Sequence, residues 1–167
     1  MLSPQIYWVP APEGARLAVM PCPRGYGWLL EELSGWRRAG IDSVISLLED
    51  REVRDHGLTQ EARLCRSLRM SFLSFPVPDR GVPPSVAEAV RLVERVRSEV
   101  SAGAGVGIHC LAGIGRSPLL AACVLLKLGV PEERVFPIIS QARGLVVPDT
   151  PAQVKWLGTF LREGKAA

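Results

Sequence analysis

The nine residues His109-Cys110-Leu111-Ala112-Gly113-Ile114-Gly115-Arg116-Ser117 constrain this chain more than any other stretch, because of what lies on either side of them. Upstream, Gly105 to Ile108 is apolar, glycine-rich and short enough for a buried strand. Downstream, Pro118 to Val130 is almost wholly apolar and long enough for a buried helix. The order strand, tight loop, helix turns the loop's N–H groups toward a common centre, and the helix dipole adds partial positive charge there. Gly113 and Gly115 allow the torsions of such a curl and leave no Cβ in a ligand's way. The stretch reads as an anion trap with a thiol in its floor.

A free thiol has a pKa near about 8.5, which a helix N-terminus and a neighbouring guanidinium can bring down to roughly 3.5–7.5. Cys110 is therefore expected to be a thiolate at neutral pH. Arg116 supplies a planar fork that matches two phosphate oxygens and stays charged. A phosphate monoester held by the amides of Leu111, Ala112, Gly113, Ile114, Gly115 and Arg116 would place its phosphorus over the sulfur. Ser117 is positioned in sequence to donate a hydrogen bond to that sulfur and help it leave again, and His109 is expected behind the loop, fixing it rather than transferring protons.

Read in order, the chain opens with two short strands, Ile6 to Val9 and Arg16 to Met20, around the turn Pro10 to Gly14, which makes an edge hairpin. Leu29, Leu33 and Trp36 recur at helical spacing, and Gly40 offers a stop. Ile41 to Leu48 reads as a buried central strand, Glu49 to His56 as a charged turn, Thr59 to Arg69 as a less regular helix, and Ser71 to Pro76 as a strand. Pro76 to Pro84, with Pro78, Pro83 and Gly81 between them, is an irregular loop that exposes one carboxylate, Asp79. A helix beginning at Pro83 or Pro84 would carry Val86, Ala89, Val90, Val93, Val96 and Val100 on its apolar face. Pro131 opens another helix, which Pro137 is expected to kink or shorten. Asp149 or Thr150 can cap a last helix running to about Arg162, with Val154, Leu157, Phe160 and Leu161 inward. Strands alternating with helices predict an α/β fold with a mainly parallel central sheet and helices on both sides, the trap lying at a strand's carboxyl end.

At 167 residues and 47% hydrophobic the chain suits one compact domain over residues 1–167. A formal net charge of +3 with interleaved acids and bases demands neither nucleic acid nor membrane. The start, Met1 to Gln5, lacks a basic segment followed by an apolar one, and the apolar run Pro118 to Leu126 is far short of the roughly 20 residues of a membrane span. Cys22, Cys65, Cys110 and Cys123 show no paired or metal-ligand spacing, so no metal site is expected and a reducing cytoplasm is the expected location. Cys123 belongs to a core face, and Cys22 and Cys65 are the candidate resolving partners should Cys110 oxidise.

The 109–117 segment resembles the signature loop of the cysteine-dependent protein phosphatases, His-Cys, five residues, Arg, then Ser or Thr, with Gly113 where that family also tends to carry glycine. Cleaving a phosphate ester requires protonation of the departing oxygen, a task suited to a carboxylic acid on a mobile loop. Asp79, 31 positions before Cys110, is the candidate. Its Pro-Val-Pro-Asp setting resembles the general-acid loop of the small dual-specificity phosphatases, as do the early strands, the Val44 to Leu48 strand and the Arg143-Gly144 turn. The resemblance implies a protein-tyrosine-phosphatase-like fold and a cofactor-free, two-step hydrolysis of phosphoproteins through a phosphocysteine, by a monomer.

Short members of that family have shallow clefts that accept phosphoserine and phosphothreonine as well as phosphotyrosine. Phosphoinositide enzymes often place lysines inside the loop, where this chain has uncharged Leu111, Ala112 and Ile114. A phosphatase of inositides or RNA 5′-phosphates, and a phosphoprotein-binding module without turnover, are the alternatives. Retention of Cys110, Arg116 and Asp79 together argues against the module. Arg51, Arg54, Arg80 and Arg143 are either solvated charges or a cleft border that would favour acidic peptides.

Overall fold

In the computed structural model, which describes residues 3–165, five strands form one sheet in the spatial order β1-β2-β5-β3-β4. The strands are β1 (Tyr7–Val9), β2 (Arg16–Met20), β3 (Ser43–Ser46), β4 (Ser71–Ser74) and β5 (Gly105–His109). β1 pairs antiparallel with β2 as the expected edge hairpin, and every other pairing is parallel. The central strand is β5 rather than β3, which is shorter than the 41–48 run suggested. The buried tail of that run still extends the ladder, since Leu47 N–H donates to the His109 carbonyl at 3.0 Å.

Alternation along the strands splits the interior into two cores. Leu17, Val19, Ile45, Val106 and Ile108 face α4 (Val86–Ser101), α5 (Arg116–Lys127), α6 (Glu132–Arg143) and α7 (Pro151–Glu163). Ala18, Met20 and Val44 face the opposite side, with Leu33 and Trp36 of α1 (Leu29–Arg38) and Cys65 of α3 (Glu61–Ser67). Helices therefore cover both faces, as the strand and helix alternation required. Asp42 fastens the amino end of β5, because its backbone N–H donates to Gly105 at 2.7 Å and its carboxylate accepts from the Gly105 N–H at 2.9 Å. That hydrogen bond, against slight burial and with Arg37 beside it, holds the Asp42 carboxyl below its usual pKa.

Four expectations about elements are corrected. Glu49 to His56 is not a turn throughout: Asp50–Asp55 is a short helix, α2, closed by a reciprocal capping box between Glu49 and Glu52. Glutamate is a poor N-cap by preference, so the pattern carried no start signal. The long helix α4 begins at Val86, with Ser85 accepting from the Glu88 N–H, rather than at either proline. Leu92 joins Ala89, Val93, Val96 and Val100 in its buried face. Helix α6 runs unbroken through Pro137, whose exposed ring lies opposite the buried Val135 and Ile139. In α7, Val154 is half exposed and Trp156 takes the inward position, flanked by Leu157 and Phe160.

Candidate active site

The 109–117 loop leaves β5 and enters α5, and its carbonyls are held on the outside of the curl. Leu111 accepts from the Cys22 N–H at 3.0 Å, while Ala112 and Gly113 accept from the Arg143 guanidinium at 3.1 Å each. Arg143 is braced in turn over the Tyr7 ring, 4.1 Å from its centroid. A curl whose carbonyls are engaged outside has its N–H groups to offer inside. Gly113 sits at φ +71, and a Cβ there would fall 2.8 Å from the backbone of Met20 and Pro21, so only glycine lets the loop pass so close to the end of β2.

Cys110 is buried to 3% exposure, and its sulfur lies 3.3 Å from the Ser117 hydroxyl in the first turn of α5. His109 is fully buried on the other side of the loop. Its Nε2 is 2.8 Å from Glu61 Oε1 on α3, its Nδ1 is 3.3 Å from the Cys110 carbonyl, and its ring packs 5.7 Å from Trp36. Glu61 is itself only 1% exposed. No local pattern marks this contact, since a carboxylate on a helix surface is ordinarily solvated and its partner is 48 positions away.

Arg116 is the most heavily bonded side chain of the site. Both terminal nitrogens reach Glu52 at 2.8 Å in a two-pronged pair, Nη1 also donates to the Val77 carbonyl at 3.0 Å, and Nη2 lies 3.2 Å from Asp79 Oδ1. Burial disfavours its charge, but the hydrogen bonds to Glu52 and the fields of Cys110, Glu52 and Asp79 outweigh this and raise its pKa. Glu52 shows the reciprocal balance. Burial opposes its ionisation, yet hydrogen bonds from Arg116 and from the Glu49 N–H, at 2.9 Å, keep its carboxyl below the usual value.

Asp79 lies on the irregular 76–84 loop with its carboxyl exposed and facing Arg116. The two meet in an open cleft of about 230 Å³ lined also by Arg80, Cys110, Leu111, Ala112, Ile114, Gly115, Asp149 and Gln153. Asp79, Cys110, Leu111, Ala112, Ile114, Gly115 and Arg116 therefore line one cleft, with Ser117 against the Cys110 sulfur, His109 behind the loop and Gly113 packed against the end of β2. Of the four arginines considered for its border, Arg80 lines the cleft, Arg143 holds the loop from outside, Arg51 pairs with Asp55, and Arg54 lines a separate groove with Tyr26 and Leu64. Glu52, Glu61 and Gln153 complete the surroundings without having been singled out for them, and Asp149, offered in the sequence as a helix cap, lines the cleft as well.

The other thiols are not activated. Burial, then the Glu61 and Cys110 charges, pushes Cys22 up to about 11, and burial with Glu61 pushes Cys65 up to about 12. Cys123 is raised by complete burial within α5. Among the described residues no group of three or more His, Cys, Asp and Glu is arranged to hold a metal ion, and no helix is long and apolar enough to cross a membrane.

A mainly parallel sheet flanked by helices, with a Cys-x5-Arg loop between its central strand and a buried helix, is the arrangement of a cysteine phosphatase. Residues 19–130 match the family model described as polymorphic toxin system, DSP-PTPase phosphatase, and the chain belongs to this family of dual-specificity-type phosphatases. Mouse protein tyrosine phosphatase type IVA 2 is 28% identical over 103 residues, which are 55% of this chain and 61% of that protein. The match thus spans about three fifths of that relative's length. The crystal structure of kinase associated phosphatase, with its catalytic cysteine replaced by serine, superposes with a TM-score of 0.87 at 19% identity, covering 100% of this chain and 99% of that one. The active form of Tk-PTP superposes at 0.77 with 23% identity, covering 96% and 99%. Both likenesses establish the fold.

Proposed function

We propose that this protein hydrolyses phosphate monoesters on proteins, phosphotyrosine and with it phosphoserine and phosphothreonine, through a phosphocysteine. The observation that carries the reading is the convergence of Cys110, Arg116 and Asp79 on one cleft, with Ser117 against the sulfur. In the first displacement the Cys110 thiolate attacks phosphorus, the bond from phosphorus to the ester oxygen breaks, and Asp79 gives that oxygen its proton. In the second, ionised Asp79 takes a proton from water, the water oxygen bonds to phosphorus, and the sulfur leaves with the Ser117 hydroxyl to steady its charge. Charge on the phosphoryl oxygens is met by Arg116 and the amides of Leu111, Ala112, Gly113, Ile114 and Gly115, which are fixed before the substrate arrives.

His109 and Glu61 support the loop from behind. The domain, residues 1–167, would act as a monomer in a reducing cytoplasm, without cofactor, nucleic acid or membrane. The free thiols support a reducing compartment, and the mild net charge with the uncharged loop positions Leu111, Ala112 and Ile114 supports phosphoproteins over inositides.

Hydrolysis of an aryl phosphate by the wild type, Cys110→Ser and Asp79→Ala tests the reading. No turnover is expected from the serine variant, and a loss of roughly 10²–10⁴-fold in kcat from the alanine variant. Wild-type rates in Cys110→Ser would reject the covalent route, and unchanged rates in Asp79→Ala would move the acid elsewhere. Turnover confined to inositide or RNA 5′-phosphate substrates would overturn the phosphoprotein assignment.

A further inference from the structure

The acid loop and the start of α7 are far apart in sequence, yet the two are joined at two points. Arg80 donates to Asp149 Oδ2 at 2.9 Å, across 69 positions, and Gln153 Nε2 donates to the Gly81 carbonyl at 3.1 Å, across 72. Both contacts flank Asp79 on its carboxyl side. Between them the backbone of Arg80 has φ +58, a left-handed conformation that a residue with a side chain keeps only when its surroundings impose it.

Gln153 is an unusual residue for that place. It is completely buried, and both ends of its amide are engaged: Oε1 accepts from the N–H groups of Asp149 and Thr150 at 3.1 Å each, while Nε2 donates to the Gly81 carbonyl. It also borders the signature loop, because a Cβ on Gly115 would lie 3.0 and 3.1 Å from its two amide atoms. One side chain therefore touches the anion loop, the acid loop and the cap of α7. The carboxyl of Asp79, by contrast, is mostly solvated and has Arg116 Nη2 as its hydrogen-bond partner. That bond ties Asp79 to Arg116 at the start of α5, whereas the backbone on its carboxyl side is held through Arg80 and Gly81.

We infer that Gln153 and Asp149 are positioning residues: through Gly81 and Arg80 they hold the 76–84 loop closed, placing Asp79 where it can protonate the departing ester oxygen. This rests on the phosphatase reading above. The chemical consequence is selective. In the first displacement the sulfur-to-phosphorus bond forms without the latch, whereas transfer of the Asp79 proton to the oxygen, as its bond to phosphorus breaks, depends on it. The latch should matter for a phenolate or alkoxide that leaves poorly without a proton, and much less for a dinitrophenolate that leaves without one.

The test compares kcat/KM for phenyl phosphate and 2,4-dinitrophenyl phosphate in the wild type, Arg80→Ala, Asp149→Asn and Gln153→Met. The ratio of phenyl to dinitrophenyl kcat/KM should fall by about tenfold or more in the variants, a share of the roughly 10²–10⁴-fold that proton transfer contributes. Arg80→Lys, which keeps the ion pair, should stay within about twofold of the wild-type ratio on the same scale. In an Asp79→Ala background the same substitutions should leave the ratio where Asp79→Ala alone puts it, since no proton is left to misplace. Equal losses with both esters, an unchanged ratio in Arg80→Ala, or a further fall in the Asp79→Ala background would overturn the inference. Arg80 lies on the surface, so that variant remains informative if Gln153→Met folds poorly. Absence of Cys110-dependent hydrolysis of either ester would instead reject the phosphatase reading itself.

Discussion

Glu52 presents both carboxylate oxygens to a guanidinium that is 2% exposed, each at 2.8 Å. Removing one member of such a pair leaves the other buried and uncompensated. Glu52→Ala is expected to destabilise the fold by about 3 kcal/mol and to lower phosphatase activity through misplacement of Arg116. Its pH dependence has a definite sign. The folded carboxyl titrates below its ordinary value of 4.5, so its contribution is complete above that value and is lost as the pH falls through the lower, folded one. The stability gap between wild type and Glu52→Gln, measured by urea denaturation, should therefore be widest near neutrality and narrow progressively as the pH falls below 4.5. A constant gap would mean that the carboxylate charge is not what Arg116 requires. The signature residues were legible because they occupy fixed offsets within nine positions. Glu52 and Glu61 were not, because each acquires its role only when a helix folds against a loop 64 and 48 positions away.

The elements were legible where periodicity and local punctuation agreed, as in α1, with its Leu29, Leu33 and Trp36 stripe, and in the hairpin of β1 and β2. They were misread where a local rule met tertiary packing. Pro137 lacks the N–H that would bond the Glu133 carbonyl, yet burial of Val135 and Ile139 against the first core keeps α6 whole. The proline ring is exposed, so alanine would give up no core packing there. Pro137→Ala should accordingly stabilise the protein by about 1–3 kcal/mol, seen as a Tm increase with unchanged turnover. A lower Tm would show that α6 is adapted to the bend a proline imposes. Val154 was misread in another way, since two residues along a helix turn about 200° and set Val154 and Trp156 on nearly opposite faces, and Trp156 buries more surface inward.

In the whole molecule, the charges around the cleft offset one another. Asp79 and Asp149 stand against Arg80 and Arg116, with Glu52 behind the last, on a protein whose formal net charge is +3. Such an arrangement builds no funnel of potential reaching into solution, so capture of a dianion depends on close encounter with the loop rather than on attraction from afar. Raising ionic strength tenfold from about 0.02 M, which shortens the screening distance from roughly 20 Å to below about 10 Å, should change kcat/KM for a small aryl phosphate by no more than about threefold. A steep decline would reveal a diffusional advantage that this balance of charges does not supply.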